Sequence, residues 1–423
     1  MLANIWRRVW QTHSRTEMAQ EGTFERGSLG AGEPDHALRV YSNMTQLIAS
    51  VENPTPLVKL NGINASEDFL IYLKLERYNP FGSIKDRIAH KMLAALDIGD
   101  RTVVEPSSGN TGIALACVAN ALGIPIEIAV PEGIPDEKKV MLRLLGTKVM
   151  EADDALCPLF PTEGARGLVN SLIESPATRD IYVSPNQYEN ELNVEAHYLT
   201  TGPEIWKQTR GRISHFFAGF GTCGTISGVG RYLKEQNPEI RIVGVEPSSS
   251  DHRLPGMKRI TGLAPEYIPK ILDRSVIDDV VEVADDRAYR TAIGLARKDG
   301  IPVGPTTGAI LSAALDYAKS STGLAVVISP DDAFKYTAFF KEILASEPQQ
   351  IESRQYDLCE LACPLSKVKG IELIEGLEEG ETATILLGDK DSLKSMAQEL
   401  KARGIRPDFK TNGENRFALT FTK

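Results

Sequence analysis

From residue 69 to residue 329 the chain repeats one pattern. A short run of unbroken apolar residues is followed by a cluster of Gly, Pro or Ser, and then by apolar residues at helical spacing. Such runs lie at 69–75, 102–105, 126–130, 181–184, 215–220, 242–246 and 325–329, with helical patterns at 88–96, 112–122 and 136–145 among those between them. Strands that are apolar along their whole length, rather than at every second residue, are buried on both faces. Interleaved helices then predict an α/β, doubly wound architecture built on parallel sheets. Ligands in such folds bind beyond the carboxyl ends of the strands, so the loops after the runs are where function is expected.

At 423 residues the chain exceeds a single ordinary core. The expected division is an N-terminal extension at 1–38, a catalytic domain at 39–345 with a smaller subdomain at about 79–190, a linker at 346–355 and a small domain at 356–423. Hydrophobic residues make up 42% and charged residues 25% of the chain, the balance of a globular protein. A net charge of −10 argues against nucleic-acid binding, and no apolar run approaches the roughly 20 residues of a membrane span. Five cysteines, an odd count without a secretory pattern, lead to an expectation of free thiols in a reducing cytoplasm. Cys359 and Cys363 have no second ligand pair nearby, so no metal site is expected.

Three loops carry chemistry. Asn79-Pro80-Phe81-Gly82-Ser83-Ile84-Lys85-Asp86-Arg87 is a turn entering a helix, with Lys85 in the first helical turn. There the helix dipole and burial lower a lysine pKa and make it a nucleophile. Ser107-Ser108-Gly109-Asn110-Thr111-Gly112 joins a strand to a helix, offering hydroxyls and helix amides to a carboxylate or phosphate and a carboxamide to a phenolic oxygen. Gly219-Phe220-Gly221-Thr222-Cys223-Gly224-Thr225 places glycine-rich backbone at another helix start, the arrangement of a phosphate cradle.

These three motifs, in this order, resemble those of the pyridoxal-phosphate β-replacement enzymes of the cysteine synthase and cystathionine β-synthase family, over about residues 51–344. The resemblance implies fold type II and a pyridoxal 5′-phosphate cofactor. It implies that Lys85 forms the Schiff base with the cofactor, that Asn110 bonds its 3′-oxygen, and that Gly221, Thr222, Cys223, Gly224 and Thr225 hold its phosphate. Ser107, Ser108, Thr111 and Gln187 would bind the α-carboxylate of an amino-acid substrate. The implied reaction removes the Cα proton through Lys85, expels a Cβ leaving group to give an aminoacrylate, and adds a nucleophile. The stretch Thr200–Trp206 also matches the family; packing is its expected role.

The chain departs from the family pattern at three places, and a further basic loop resembles that of one branch of the family or is simply solvated. In Ser329-Pro330-Asp331-Asp332-Ala333-Phe334-Lys335-Tyr336, Asp332 stands where a serine facing the pyridine nitrogen is expected, so a carboxylate would there strengthen the electron sink. Cys223 replaces a glycine, which requires negative φ at that residue. Gly304-Pro305-Thr306-Thr307-Gly308 replaces Gly-Ile-Ser-Ser-Gly. Lys258 and Arg259 occupy a loop that, in O-phosphoserine-using relatives, sets a cation over the substrate phosphate.

In the last unit, Cys359-Glu360-Leu361-Ala362-Cys363-Pro364-Leu365-Ser366 predicts Cys363 at a helix start with Pro364 at the first helical position, where a thiol is acidified. The Cys-Pro start and the two-helix order resemble the TusA/SirA-type sulfur carriers, whose cysteine bears a persulfide, although Ser366 replaces their second proline. The combined expectation is cysteine synthesis from O-acetylserine or O-phosphoserine in a cytoplasmic homodimer. Cys363 would deliver sulfur received from a donor protein. The alternatives are another β-substituted alanine (diaminopropionate, cysteate or cystathionine) or β-elimination, with the last unit only a docking module.

Overall fold

The computed structural model describes residues 36, 39–107, 109–134, 136–153, 162–346, 354–378, 380–411 and 416–423. The expected extension at 1–38 and linker at 346–355 lie almost wholly outside them, as does Ser108. The chain divides after Thr337 into two compact units.

The first unit contains two sheets. Strands β1 (Leu57–Lys59), β2 (Phe69–Leu75), β3 (Thr102–Pro106), β4 (Ile126–Pro131), β5 (Lys148–Ala152), β6 (Tyr182–Val183), β7 (His215–Gly219), β8 (Arg241–Pro247), β9 (Asp279–Val283) and β10 (Gly323–Ser329) follow in chain order. The larger sheet has the order β1-β2-β10-β7-β8-β9 and the smaller the order β5-β4-β3-β6. Every pairing is parallel except β1 with β2. Seven of these strands coincide with the unbroken apolar runs. Val103, Val104, Ile128, Phe216, Phe217, Val243, Val326 and Val327 are completely buried, as strands covered by helices on both faces require. Three of the four edge strands, β1, β5 and β9, are half-exposed, and charged residues interrupt them, so they lack that signature.

Ala114, Leu115, Val118 and Ala119 of the helix Asn110–Leu122 pack on the smaller sheet with Ala89 and Leu93 of the helix Lys85–Ala95. The helix Gly224–Gln236 closes over the larger sheet through Ile226, Val229 and Leu233. Each of these three helices starts within one of the chemical loops, which fixes the loops at strand ends.

The second unit carries β11 (Arg354–Leu358), β12 (Thr382–Leu387), β13 (Asp408–Thr411) and β14 (Phe417–Thr422) in the order β11-β12-β14-β13. Strand β12 pairs parallel with β11 and antiparallel with β14. Helices Leu365–Glu375 and Lys390–Ala402 supply Ile374, Met396 and Leu400 to a core with Ile385, Leu387, Leu419 and Phe421. Pro364 precedes the first of these helices instead of opening it, a shift of one residue from the expected position. Ser366 is buried and shares a hydrogen bond with Ser392, joining the two helices at the place where the carrier motif has proline.

Candidate active site

The turn before Lys85 is built by its own sequence. Gly82 has φ +81°, a conformation that glycine adopts without a Cβ penalty. Asp86, one residue beyond the lysine, reaches back to accept from the Phe81 amide at 2.7 Å and the Ser83 hydroxyl at 3.2 Å. Burial pushes its carboxyl up to about 7. Ser83 Oγ accepts from the Lys85 amide. Lys85 is therefore the first residue of its helix, and burial lowers its amine to about 8, with Cys223 and Asp331 close enough to oppose the shift.

The neighbouring Arg87 ties this helix to the larger sheet. Its guanidinium donates to Glu76 through Nε at 2.7 Å and to Glu204 through Nη1 at 2.5 Å, while Lys74 Nζ lies 2.6 Å from Glu204. All four side chains are buried. Two cations balance two anions there; burial alone would raise Glu76, but Arg87 holds it down at about 2. Glu204 belongs to the stretch expected only to pack, and sequence reasoning missed this charge cluster. Two charges of each sign scattered over 130 residues leave no local pattern.

At the Cys223 loop, β7 ends and the helix Gly224–Gln236 begins with no side chain capping its first amides. Those amides are donors without helical partners, the feature that binds anions. A Cβ on Gly221 would lie 2.6 Å from the Gly256 carbonyl oxygen, and one on Gly224 would lie 1.9 Å from Asn193 Oδ1, so only glycine permits this close backbone path. Thr222 Oγ1 accepts from Asn193 Nδ2 at 3.1 Å, and Thr225 Oγ1 lies 3.2 Å from His197 Nε2. His197 opens a π-helical turn, His197–Thr201, and burial first, then Arg87 and Lys85, lower it to about 3, so it holds Thr225 as a neutral ring. Cys223 itself has φ +71°, contrary to the expected negative value. As the residue immediately before the helix it adopts the left-handed conformation that aims the following amides, at the steric cost a non-glycine residue carries there.

The third loop presents Asn110 as the first residue of its helix, with Nδ2 donating to Asp331 Oδ2 at 2.6 Å. Ser107 Oγ accepts from the Gly112 amide at 2.9 Å, and Thr111 donates to Gln187 Oε1 at 2.7 Å. The loop bearing Gln187 is organised by Glu105, which is completely buried and accepts from the Ser184 hydroxyl and from the Asn186 and Gln187 amides. Burial raises Glu105 to about 7.

Two expectations change. Asp332 is half-buried and accepts from the Phe334 amide at 2.9 Å, capping the short helix Ala333–Tyr336. The carboxylate turned toward Lys85 and Asn110 is its neighbour Asp331, because one step along the backbone reverses the side-chain direction. Arg259 is likewise turned away, toward Glu282 at 2.8 Å and the Ser248 carbonyl. Lys258 is buried instead, its Nζ 4.9 Å from the ring centre of Tyr188, next to Gln187. Thr306 donates to the Pro255 carbonyl and Thr307 shares a hydrogen bond with Ser329, so the substituted 304–308 loop is firmly held.

The site thus joins a deprotonatable lysine, an anion cradle at a helix start and a carboxamide donor. Residues 48–331 match the family model described as pyridoxal-phosphate dependent enzyme. The chain belongs to the pyridoxal-phosphate dependent enzymes. It is 40% identical over 317 residues to a cysteine synthase from Aquifex aeolicus, covering 71% of this chain and 94% of that one. It is 37% identical to a cystathionine beta-synthase from Apis mellifera, covering 74% of this chain and 65% of that one. A solved structure of a hydrogen sulfide-producing enzyme from Fusobacterium nucleatum superposes with a TM-score of 0.63 at 34% identity, over 73% of this chain and 100% of that one. Pyridoxal phosphate is accordingly the cofactor of this enzyme. The donor set fits it: an amine for its aldehyde, uncapped amides for its phosphate and an amide for its phenolic oxygen.

Proposed function

We propose that the protein makes cysteine by β-replacement on an activated serine. The observation that carries this reading is the placement of Lys85, with an amine near pKa 8, electrostatically coupled to both Cys223 of the cradle and Asp331 beneath Asn110. The names of two relatives, a cysteine synthase at 40% and a cystathionine beta-synthase at 37% identity, support the same reaction class. Bound at this site, pyridoxal phosphate supplies the electron sink that acidifies Cα and lets a Cβ substituent leave. Lys85 Nζ anchors the cofactor, takes the Cα proton and returns it. The amides of Gly221, Thr222, Cys223, Gly224 and Thr225 hold the phosphate, while Asn110 donates to the phenolic oxygen. Ser107, Ser108, Thr111 and Gln187 bind the substrate carboxylate. Lys258, buried beside Tyr188, is the cation we assign to an anionic leaving group, a reading that favours O-phosphoserine over O-acetylserine.

The second unit is read as a sulfur carrier acting through Cys363. That thiol is exposed, next to exposed Leu365 and Val368, an apolar rim on which a sulfur-donor protein could dock. Incubating the full-length enzyme with sulfide and either serine ester, and measuring cysteine, tests the reaction. Absence of cysteine from both esters overturns it. Thiosulfate or a persulfide donor replacing sulfide tests the carrier, with persulfide on Cys363 read by peptide mass. An unmodified Cys363 under those conditions leaves the unit a docking module.

A further inference from the structure

The carboxamide of Asn110 is gripped at both ends. Its Nδ2 donates to Asp331 Oδ2 at 2.6 Å, and its Oδ1 accepts from Lys335 Nζ at 3.0 Å. The same ammonium donates to the Gly82 carbonyl oxygen at 2.9 Å, inside the turn that delivers Lys85. On the far side, the Tyr336 hydroxyl donates to Asp331 Oδ2 at 2.5 Å. The surrounding backbone is shaped for these contacts. A Cβ on Gly82 would meet Lys335 Nζ at 3.4 Å, and one on Gly304 would fall 2.4 Å from Asp331 Oδ1.

A carboxamide turned by half a revolution exchanges a donor for an acceptor with little change in shape. Here the turn would set Nδ2 against an ammonium and Oδ1 against a carboxylate, replacing two charge-assisted bonds by two repulsions. That disfavours the flipped state by roughly a hundredfold or more. With Oδ1 drawn to Lys335, Nδ2 is the edge turned toward Asp331 and the Tyr336 hydroxyl, and a donor edge is what a phenolic oxyanion requires. An unrestrained carboxamide would present its oxygen to that oxyanion part of the time.

We propose that Asp331 and Lys335 are positioning residues that lock Asn110 with its donor toward the phenolic oxygen of the cofactor, Lys335 also coupling that lock to the Lys85 turn through Gly82. The inference rests on the roles given above to Lys85 and Asn110. Neither Asp331 nor Lys335 touches the cofactor in this scheme; both act through the orientation of one amide.

The test uses the full chain loaded with pyridoxal phosphate and compares Lys335→Met, Lys335→Arg and Asp331→Asn. Three quantities are read: the ratio of visible to near-ultraviolet absorbance of the bound cofactor, which reports the proton at the phenolic oxygen; its dissociation constant; and borohydride trapping on Lys85 by peptide mass. Lys335→Met should change the ratio and weaken binding about tenfold, the worth of one charge-assisted hydrogen bond. Asp331→Asn should change the ratio in the same direction, and Lys335→Arg, which can reach both carbonyl oxygens, should restore it. In an Asn110→Ala background Lys335→Met should leave the ratio unchanged and cost clearly less than tenfold in affinity, because only its bond to Gly82 remains to be lost. An unchanged ratio and affinity in Lys335→Met, or additive losses in the double variant, overturn the lock. Failure to trap the unsubstituted enzyme on Lys85 would instead remove the assignment beneath it.

Discussion

With its amine near 8, Lys85 is about one-tenth unprotonated at pH 7, against about one part in 2,500 for a lysine at 10.4. Attachment of pyridoxal phosphate to the cofactor-free enzyme should therefore quicken as pH rises toward 8 and level off above it. Stopped-flow absorbance would show this; a midpoint near 10 would mean that the amine is not desolvated. The sign for stability follows from the same shift. Between about 8 and 10.4 the unfolded lysine binds more protons than the folded one, so this group favours the folded cofactor-free protein increasingly as pH rises through that window. Lys258 governs a different property. Lys258→Ala should reduce kcat/KM for O-phosphoserine by about tenfold or more, the loss of one charge-assisted contact, and change the O-acetylserine value little. Equal losses for both esters would count against a phosphate-directed cation.

Among the elements, the helix Lys85–Ala95 is held by the charges behind it as much as by its apolar face. Glu204→Gln leaves Lys74 and Arg87 buried with one anion between them, and should cost about 3 kcal/mol or more in urea unfolding. A change below about 1 kcal/mol would show that the cluster relaxes without loss. The same element shows what could be read from sequence. The turn residues and the apolar spacing of Ile88 and Met92 announced the helix and its lysine, because those signals are local. Glu105 and Glu204 could not be read that way, since each is defined by partners about 80 and 120 residues away. The Asp331–Asp332 ambiguity has another origin. Two adjacent carboxylates are equivalent as letters, and only the capping of Ala333–Tyr336 decides which of them turns inward.

For the whole chain, the proposed division of labour is that the first unit makes the carbon–sulfur bond and the second supplies the sulfur. With a thiol reductant present to supply the two electrons that free cysteine from the disulfide formed when the Cys363 persulfide adds to the substrate, Cys363→Ser should leave cysteine formation from free sulfide unchanged within about twofold while abolishing formation from a persulfide donor. Tethering raises a carrier's effective concentration toward millimolar when the linker allows contact, so the advantage should be largest at low donor concentration. A variant that uses every sulfur source as well as the parent would dispose of the carrier role.

The order of the larger sheet has a consequence for how the enzyme comes into being. Strand β2 lies between β1 and β10, and its parallel partner begins at Gly323, about 250 residues later. At about 5–20 residues per second, a ribosome takes on the order of ten to fifty seconds to supply it. The smaller sheet, contiguous from Thr102 to Val183, can close well before that. Until β10 emerges, one apolar edge of β2 stands unpaired, so the nascent enzyme passes through a period in which a chaperone, or another copy of itself, can compete for the place that β10 must fill.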